Sequence, residues 1–172
     1  MADREEAFTS LVHKYSEQLY WHIRGIVLSH EDADDILQDV FVKAWKALPF
    51  FRGDSSEFTW LWRIATNESL NFLLRKKLRS VFVRIDEAAG ISSDPYFNGD
   101  EAEAKFQTAL SHLPAKQLSV FCMRYYEDLT YEQISDITGT SVGALKASYH
   151  IAREKINQEL NLSSEKTSKS QI

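Results

Sequence analysis

The sequence predicts an all-α protein built as two small helical domains joined by a flexible linker, and three observations carry that reading. Apolar residues recur at spacings of three and four along most of the chain, whereas Val, Ile and Thr nowhere alternate over a long stretch. The 172 residues include only 6 Gly and 3 Pro, too few for a loop-dominated fold. Charge is uneven: residues 81–100 hold 1 basic and 4 acidic side chains, with Gly90, Ser92-Ser93, Asp94-Pro95 and Asn98-Gly99 among them, the composition of an acidic tether. The expected domains are therefore 1–80 and 101–162, with the linker at 81–100 and a disordered Ser-, Lys- and Thr-rich tail at 163–172.

The periodicity places helices at about 4–28, 31–48, 57–79, 101–112, 115–127, 131–138 and 142–160. Breakers separate them at Leu48-Pro49, Arg52-Gly53-Asp54 and Leu113-Pro114. Ser80 to Ile85 is the single stretch that could be a short strand.

Composition narrows the function classes. A 44% hydrophobic and 12% aromatic content excludes a disordered chain, and 20 basic against 25 acidic residues gives a net charge of −5, which is not the balance of a generally basic protein. The one cysteine excludes a disulfide framework; Cys122 stands in the apolar run Leu118 to Met123 and reads as a small buried hydrophobe in a reducing cytoplasm. No stretch approaches the roughly 20 apolar residues that span a bilayer. The start, Met1-Ala2-Asp3-Arg4-Glu5-Glu6, is the reverse of a signal peptide, so a cytoplasmic protein without direct membrane insertion is expected.

The helix around 31–48 carries two faces. Ala33, Ile36, Leu37, Val40, Phe41, Ala44 and Leu48 form an inward stripe. Opposite lie Asp35, Gln38, Asp39, Val42, Trp45 and Lys46, an apolar centre among charges. That face is either a solvated acidic surface or a docking patch for a protein partner.

From Phe50 to Phe72 there are six aromatics, and from Arg63 to Arg79 five basic residues stand against Glu68 alone, a local charge of +4 inside an acidic protein. Lys and Arg neutralise phosphates while rings stack on unpaired bases, so this interleaving suits single-stranded nucleic acid. Trp60, Arg63, Asn67 and Asn71 are spaced three, four and four, which aligns them on one side of a helix where amides can reach base edges. Core burial competes for the aromatics, Trp62 and Phe72 in particular.

Near the C-terminus, Thr130 and Gln133 form a capping-box pair at the start of a short helix that Gly139 ends. Thr140 or Ser141 then caps a second helix with Val142, Leu145, Tyr149, Ala152 and Ile156 inward. Two helices joined by a short turn containing Gly form the helix-turn-helix pattern, although a plain helical hairpin has similar spacing.

Nothing points to a catalytic centre, a cofactor or a metal. There is no phosphate-binding lysine loop, dinucleotide glycine pattern, paired-cysteine motif or zinc-protease motif, and His13, His22, His30, His112 and His150 are scattered. Asp34-Asp35-Ile36-Leu37-Gln38-Asp39 resembles the clustered aspartates of magnesium-dependent helical enzymes, but the second acidic cluster such an enzyme needs is not evident.

Three stretches together resemble one family, the extracytoplasmic-function (ECF) group of sigma factors of bacterial RNA polymerase. Asp32 to Trp45 looks like that family's polymerase-gripping helix, Phe51 to Asn67 is similar to its promoter-melting loop and minus-ten helix, and Leu113 to Ile156 resembles its C-terminal domain. The resemblance implies a non-enzymatic initiation factor that binds core RNA polymerase and promoter DNA. It implies polymerase binding by Asp35, Gln38, Asp39, Val42 and Trp45, and capture of a flipped minus-ten base by Arg52, Asp54, Ser55, Ser56 and Phe58. Trp60, Arg63, Asn67, Asn71, Arg75, Lys76 and Lys77 would contact the same element and its phosphates. Lys146, Ala147, Ser148, His150 and Ile151 would face the minus-thirty-five element, with Arg153 and Lys155 near its backbone. An anti-sigma factor, often membrane-bound in the family, is a further expected partner.

Members often carry several arginines in the last helix, where this chain has Ser148 and Ile151. Fewer bidentate guanine contacts follow, so weaker reading of the upstream element and little DNA binding by the free protein are expected. A stand-alone dimeric helix-turn-helix regulator is the rival among DNA-binding proteins; it leaves Trp45 and the aromatic cluster without a role.

Overall fold

A computed structural model describes residues 2–82 and 100–169. Among these are seven α-helices: α1 (Ala2–Val27), α2 (His30–Ala47), α3 (Glu57–Phe82), α4 (Glu101–Ser111), α5 (Ala115–Tyr125), α6 (Tyr131–Thr138) and α7 (Val142–Lys169), with a 3-10 turn at Leu48–Phe50. No strand occurs among the described residues.

The helix ends follow local chemistry. Ser29 caps α2 by accepting from the Asp32 N–H at 3.3 Å, and Glu31 and Asp32 place negative charge at the positive end of the helix dipole. Thr130 and Gln133 complete the expected capping box of α6, with reciprocal bonds of 3.1 and 2.8 Å. Gly139 ends α6 at φ 73°, a left-handed position that glycine adopts without steric penalty, and its N–H donates to the Ser135 carbonyl at 2.8 Å. Ser141 rather than Thr140 caps α7, its hydroxyl accepting from the Ala144 N–H at 3.3 Å.

Two expectations are corrected. The tail expected to be disordered from 163 is helical as far as Lys169, and residues 170–172 lie outside the described residues. No Gly or Pro occurs between Asn161 and Lys169. Extending an existing helix adds one hydrogen bond for each residue fixed, and Ser, Lys and Thr oppose this only by tenths of a kcal/mol, about 0.7 at most. Likewise Ser80, Val81 and Phe82 are the last turn of α3, not the start of a strand. The remainder of that stretch and of the expected linker, 83–99, lies outside the described residues.

Helices α1, α2 and α3 pack on one another through Leu11, Leu19, Ile23, Ala33, Ile36, Val40, Leu61 and Ala65. A second cluster, including Leu110, Leu118, Phe121, Ala152 and Ile156, joins α4, α5 and α7. The first cluster does not stop at the domain boundary: Val120, Met123, Leu129, Ile134, Ile137 and Leu145 from the second domain belong to it. Helix α3 thereby packs against α6 and α5 as well as against α1 and α2, while α1 also meets α5. Each fully buried aliphatic side chain contributes about 1.5–3 kcal/mol, so this seam is a substantial apolar contact. At Gly25 the helices approach so closely that an added Cβ would lie 3.4 Å from the Cys122 sulfur. The Cys122 thiol donates to the Gly25 carbonyl at 3.3 Å.

Thr130→Ala removes one half of the capping box and is expected to destabilise the protein by about 1 kcal/mol, read as a lower urea midpoint at unchanged m-value. Burial pushes the Cys122 thiol well above its ordinary pKa, which suppresses the reactive thiolate. Ellman's reagent is expected to label Cys122 very slowly in the folded protein and rapidly in guanidinium; rapid labelling of the folded chain contradicts that burial.

Candidate nucleic-acid interface

Three groups of predicted residues occupy three places. On α2, Asp35, Gln38, Asp39 and Val42 lie together on the exposed face, with Val42 51% exposed. The inward stripe of that helix has the expected residues, Ala33, Ile36, Val40 and Ala44 fully buried. Trp45 is different: the Arg4 guanidinium sits 4.0 Å over its ring and Phe8 meets it edge-on at 5.1 Å, so the indole is half-covered by α1. The Arg4 side chain also donates to the Trp45 carbonyl.

The aspartates of α2 do not gather. The Asp34 carboxylate lies 3.3 Å from the His30 ring, Asp32 pairs with Lys76 at 3.1 Å, and no group of three His, Cys, Asp or Glu among the described residues is placed to hold a metal ion.

The second group runs from the loop after α2 into α3. Gly53 turns the loop at φ 76°, and Arg52, Asp54 and Ser56 are exposed, with Ser55 half-buried. Ser56 caps α3, accepting from the Thr59 N–H at 3.1 Å. Phe51 and Trp60 pack at 4.8 Å and steady the loop against the helix. Phe58 is drawn inward, stacking on Trp62 at 4.0 Å, and so supports the loop from the core side. Phe50, which sequence reasoning counted only as a member of the aromatic cluster, is 80% exposed beside this loop.

Along α3, Arg63, Asn67, Asn71, Arg75, Lys76 and Lys77 are all exposed. Two of these cations are drawn toward neighbours: Arg63 donates to the Asp136 carbonyl of α6 at 2.6 Å and Lys76 pairs with Asp32; separately, Lys43 of α2 holds Glu68 of α3. With Glu68 neutralised by Lys43, the local field of this stretch is more positive than its residue count suggests.

The third group lies on α7. Lys146, Ala147, His150, Ile151, Arg153 and Lys155 are exposed and Ser148 is half-buried, while Leu145, Ala152 and Ile156 face inward. Arg124 and Lys146 both lie over the Tyr131 ring, at 5.4 and 5.8 Å. Arg124 therefore adds a cation at the start of the helix-turn-helix that sequence reasoning had not counted.

Sequence reasoning also missed a buried polar group between the domains. His22 of α1, 1% exposed, donates from Nδ1 to Glu127 Oε1 at 2.6 Å, and its Nε2 shares a 2.8 Å hydrogen bond with the Thr66 hydroxyl of α3. The Trp62 indole N–H donates to the other oxygen, Glu127 Oε2, at 2.7 Å. One signal was available: His22 stands three residues after Leu19 on the α1 stripe that also carries Leu11 and Tyr15, and a histidine on a buried stripe needs a partner.

Residues 11–79 match the sequence family Sigma-70 region 2, and residues 103–156 match Sigma-70, region 4. The two matches coincide with the two helical domains and with the loop, α3 and α7 surfaces just described. The chain is 31% identical over 172 residues to the RNA polymerase sigma-H factor of Pseudomonas aeruginosa, covering 91% of this chain and 87% of that protein. It is 29% identical over 168 residues to the ECF RNA polymerase sigma-E factor of Escherichia coli, with the same coverage. Among solved structures, the fold resembles the sigma factor RpoE in complex with the anti-sigma factor NepR from Bartonella quintana, at TM-score 0.71 and 24% identity, covering 91% of this chain and 98% of that one. It also resembles CnrH in complex with the cytosolic domain of CnrY, at TM-score 0.66 and 24% identity, covering 92% and 90%. The chain belongs to the sigma-70 family, in its ECF group, and is a non-enzymatic RNA polymerase sigma factor that serves promoter-specific transcription initiation.

Proposed function

We propose that the exposed row on α3 reads the minus-ten element while the preceding loop holds a base flipped from it. The observation that carries this reading is the alignment of Arg63, Asn67 and Asn71 with Arg75, Lys76 and Lys77 on the accessible side of one helix, directly after an exposed, glycine-turned loop. The amides suit base edges and the cations suit phosphates. Arg52, Asp54, Ser55 and Ser56 supply donors and acceptors to a flipped base, with Trp60 beside Phe51 available as a stacking surface and Phe58 bracing from below.

On α7, Lys146, Ala147, Ser148, His150 and Ile151 face the minus-thirty-five element, with Arg153 and Lys155 at its backbone. Small and apolar side chains at this surface favour reading of groove shape over guanine contacts. The exposed α2 face of Asp35, Gln38, Asp39 and Val42, bordered by Trp45, docks on core polymerase, where an apolar centre rimmed by carboxylates fits a basic partner surface. No helix among the described residues is long and apolar enough to cross a membrane, which supports action in the cytoplasm. The two structural neighbours are each bound to a second protein named in their descriptions, and an anti-sigma factor is the corresponding proposed partner here.

Run-off transcription with purified core polymerase tests the reading: promoter-specific transcripts are expected only when this protein is added, and transcripts independent of it overturn it. Asn67→Ala is expected to lose roughly 1–3 kcal/mol of discrimination at one minus-ten position. Lys77→Ala is expected to weaken binding evenly across sequences and to lower the salt slope by about one. The double variant Asp39→Ala with Trp45→Ala is expected to weaken polymerase binding by at least about tenfold, roughly 1.4 kcal/mol, in a fluorescence titration; unchanged binding places the docking face elsewhere.

A further inference from the structure

Among the described residues, Phe50 is the most exposed large apolar side chain at 80%; the next, Leu162 and Leu74, are at 59% and 58%. A single exposed ring is ordinary on a protein surface, so exposure alone assigns it nothing. What sets Phe50 apart is how it is held and what stands beside it. Pro49 occupies the start of the 3-10 turn Leu48–Phe50 and fixes φ there, and the Phe51 N–H closes the turn by donating to the Leu48 carbonyl at 3.1 Å. The backbone then extends at Phe51, ψ 111°, whose half-buried ring packs on Trp60 at 4.8 Å. Phe50 is thus anchored by α2 on one side and by the Phe51–Trp60 pair on the other. Little more than its own two side-chain torsions is left to order when a partner arrives.

The ring stands at the entrance of the loop proposed to capture a base. Arg52 and Asp54 are exposed two and four residues further on, and at Gly53 no atom lies within 4 Å of the place a Cβ would take, so the loop has open space for a base. Flipping one base out of a stack uncovers a face of its neighbour. An aromatic ring can cover that face whatever the neighbour is, because every base has a π-face. The other use of an exposed ring is contact with polymerase. The α2 face proposed for that contact carries Asp35 and Asp39, whereas Phe50 lies past the end of α2 and is followed by the exposed Arg52, whose charge suits a phosphate. Nucleic acid is therefore the occupant that the surroundings favour.

We propose that Phe50 is a stacking platform for the unpaired base next to the flipped one, so that this end of α3 holds two consecutive nucleotides of the opened strand. This rests on the promoter reading proposed for the loop and α3. The loop takes one base through its donors and acceptors and reads its identity. Phe50 takes the neighbouring base by its face, and so adds hold on the opened strand without adding sequence preference.

The test uses holoenzyme reconstituted from core polymerase and the full chain. Its probe is a fork DNA taken from a promoter that the wild-type holoenzyme transcribes, with the non-template minus-ten strand left unpaired, and the readout is the dissociation constant. Phe50→Ala is expected to weaken binding by about tenfold, Phe50→Trp to retain it, and Phe50→Leu, apolar but without a ring, to lose as much as Phe50→Ala. In a scan of abasic sites along the unpaired strand, one position is expected to weaken the wild-type complex and leave the Phe50→Ala complex unchanged. Wild-type binding by Phe50→Ala, binding by Phe50→Leu as tight as by Phe50→Trp, or a scan without such a position overturns the proposal. So does an equal loss of binding to core polymerase in the absence of DNA, which assigns the ring to the protein interface. Because the side chain is exposed, the urea midpoints of all three variants are expected to match wild type, which separates lost stacking from lost folding. A wild-type chain that supports no promoter-specific transcript overturns the promoter reading and this inference with it. Wild-type transcription with fork binding unchanged in Phe50→Ala overturns this inference alone.

Discussion

The arrangement of this protein depends on the burial of Trp62. Its ring is 1% exposed, stacked on Phe58 and met by Tyr15 and His22, and its one polar atom donates to Glu127. An indole buried this deeply needs apolar neighbours on every side and a hydrogen-bond acceptor at its edge. The first domain supplies the neighbours and the second supplies the acceptor. Burying one side chain well therefore requires both domains.

From that constraint the layout of the functional surfaces follows. Helix α3 turns Leu61, Trp62, Ala65 and Ser69 inward, which leaves Arg63, Asn67 and Asn71 outward on the same helix. A single helix thus holds the seam with one face and presents the row proposed to read nucleic acid with another. The loop ahead of it is steadied from both directions, by Phe51 on Trp60 and by Phe58 on Trp62. On α7, Leu145, Ala152 and Ile156 turn inward and leave Lys146, Ala147, His150 and Ile151 in solvent. Neither surface is assembled from a mobile side-chain cluster; each is the outward face of a helix fixed by its core.

The net charge of −5 fits the same economy of surfaces. Asp35 and Asp39 stand on the exposed face of α2, while Lys43 neutralises Glu68 at the edge of the basic row. On the proposed reading, this balance suits a sigma factor that approaches DNA as part of a larger assembly, since phosphate neutralisation supplies much of the affinity for DNA.

Much of this was determined by the sequence alone. The seven helices, the Thr130–Gln133 capping box, the glycine stop at Gly139 and the inward stripes of α2 and α7 are short-range features, set by periodicity and by side chains within four residues of the backbone groups they satisfy. The family motifs were equally legible because they too are contiguous. Sequence reasoning placed Trp45 among freely exposed residues and Phe58 among base contacts, whereas the packing of α1 half-covers the first and draws the second inward. What only the tertiary structure decided is the seam. His22 and Glu127 are separated by 105 positions and Trp62 and Glu127 by 65, with no local pattern linking them. Whether a buried polar group finds its partner is a property of the packed chain, because the penalty that enforces the pairing arises only once water has been excluded.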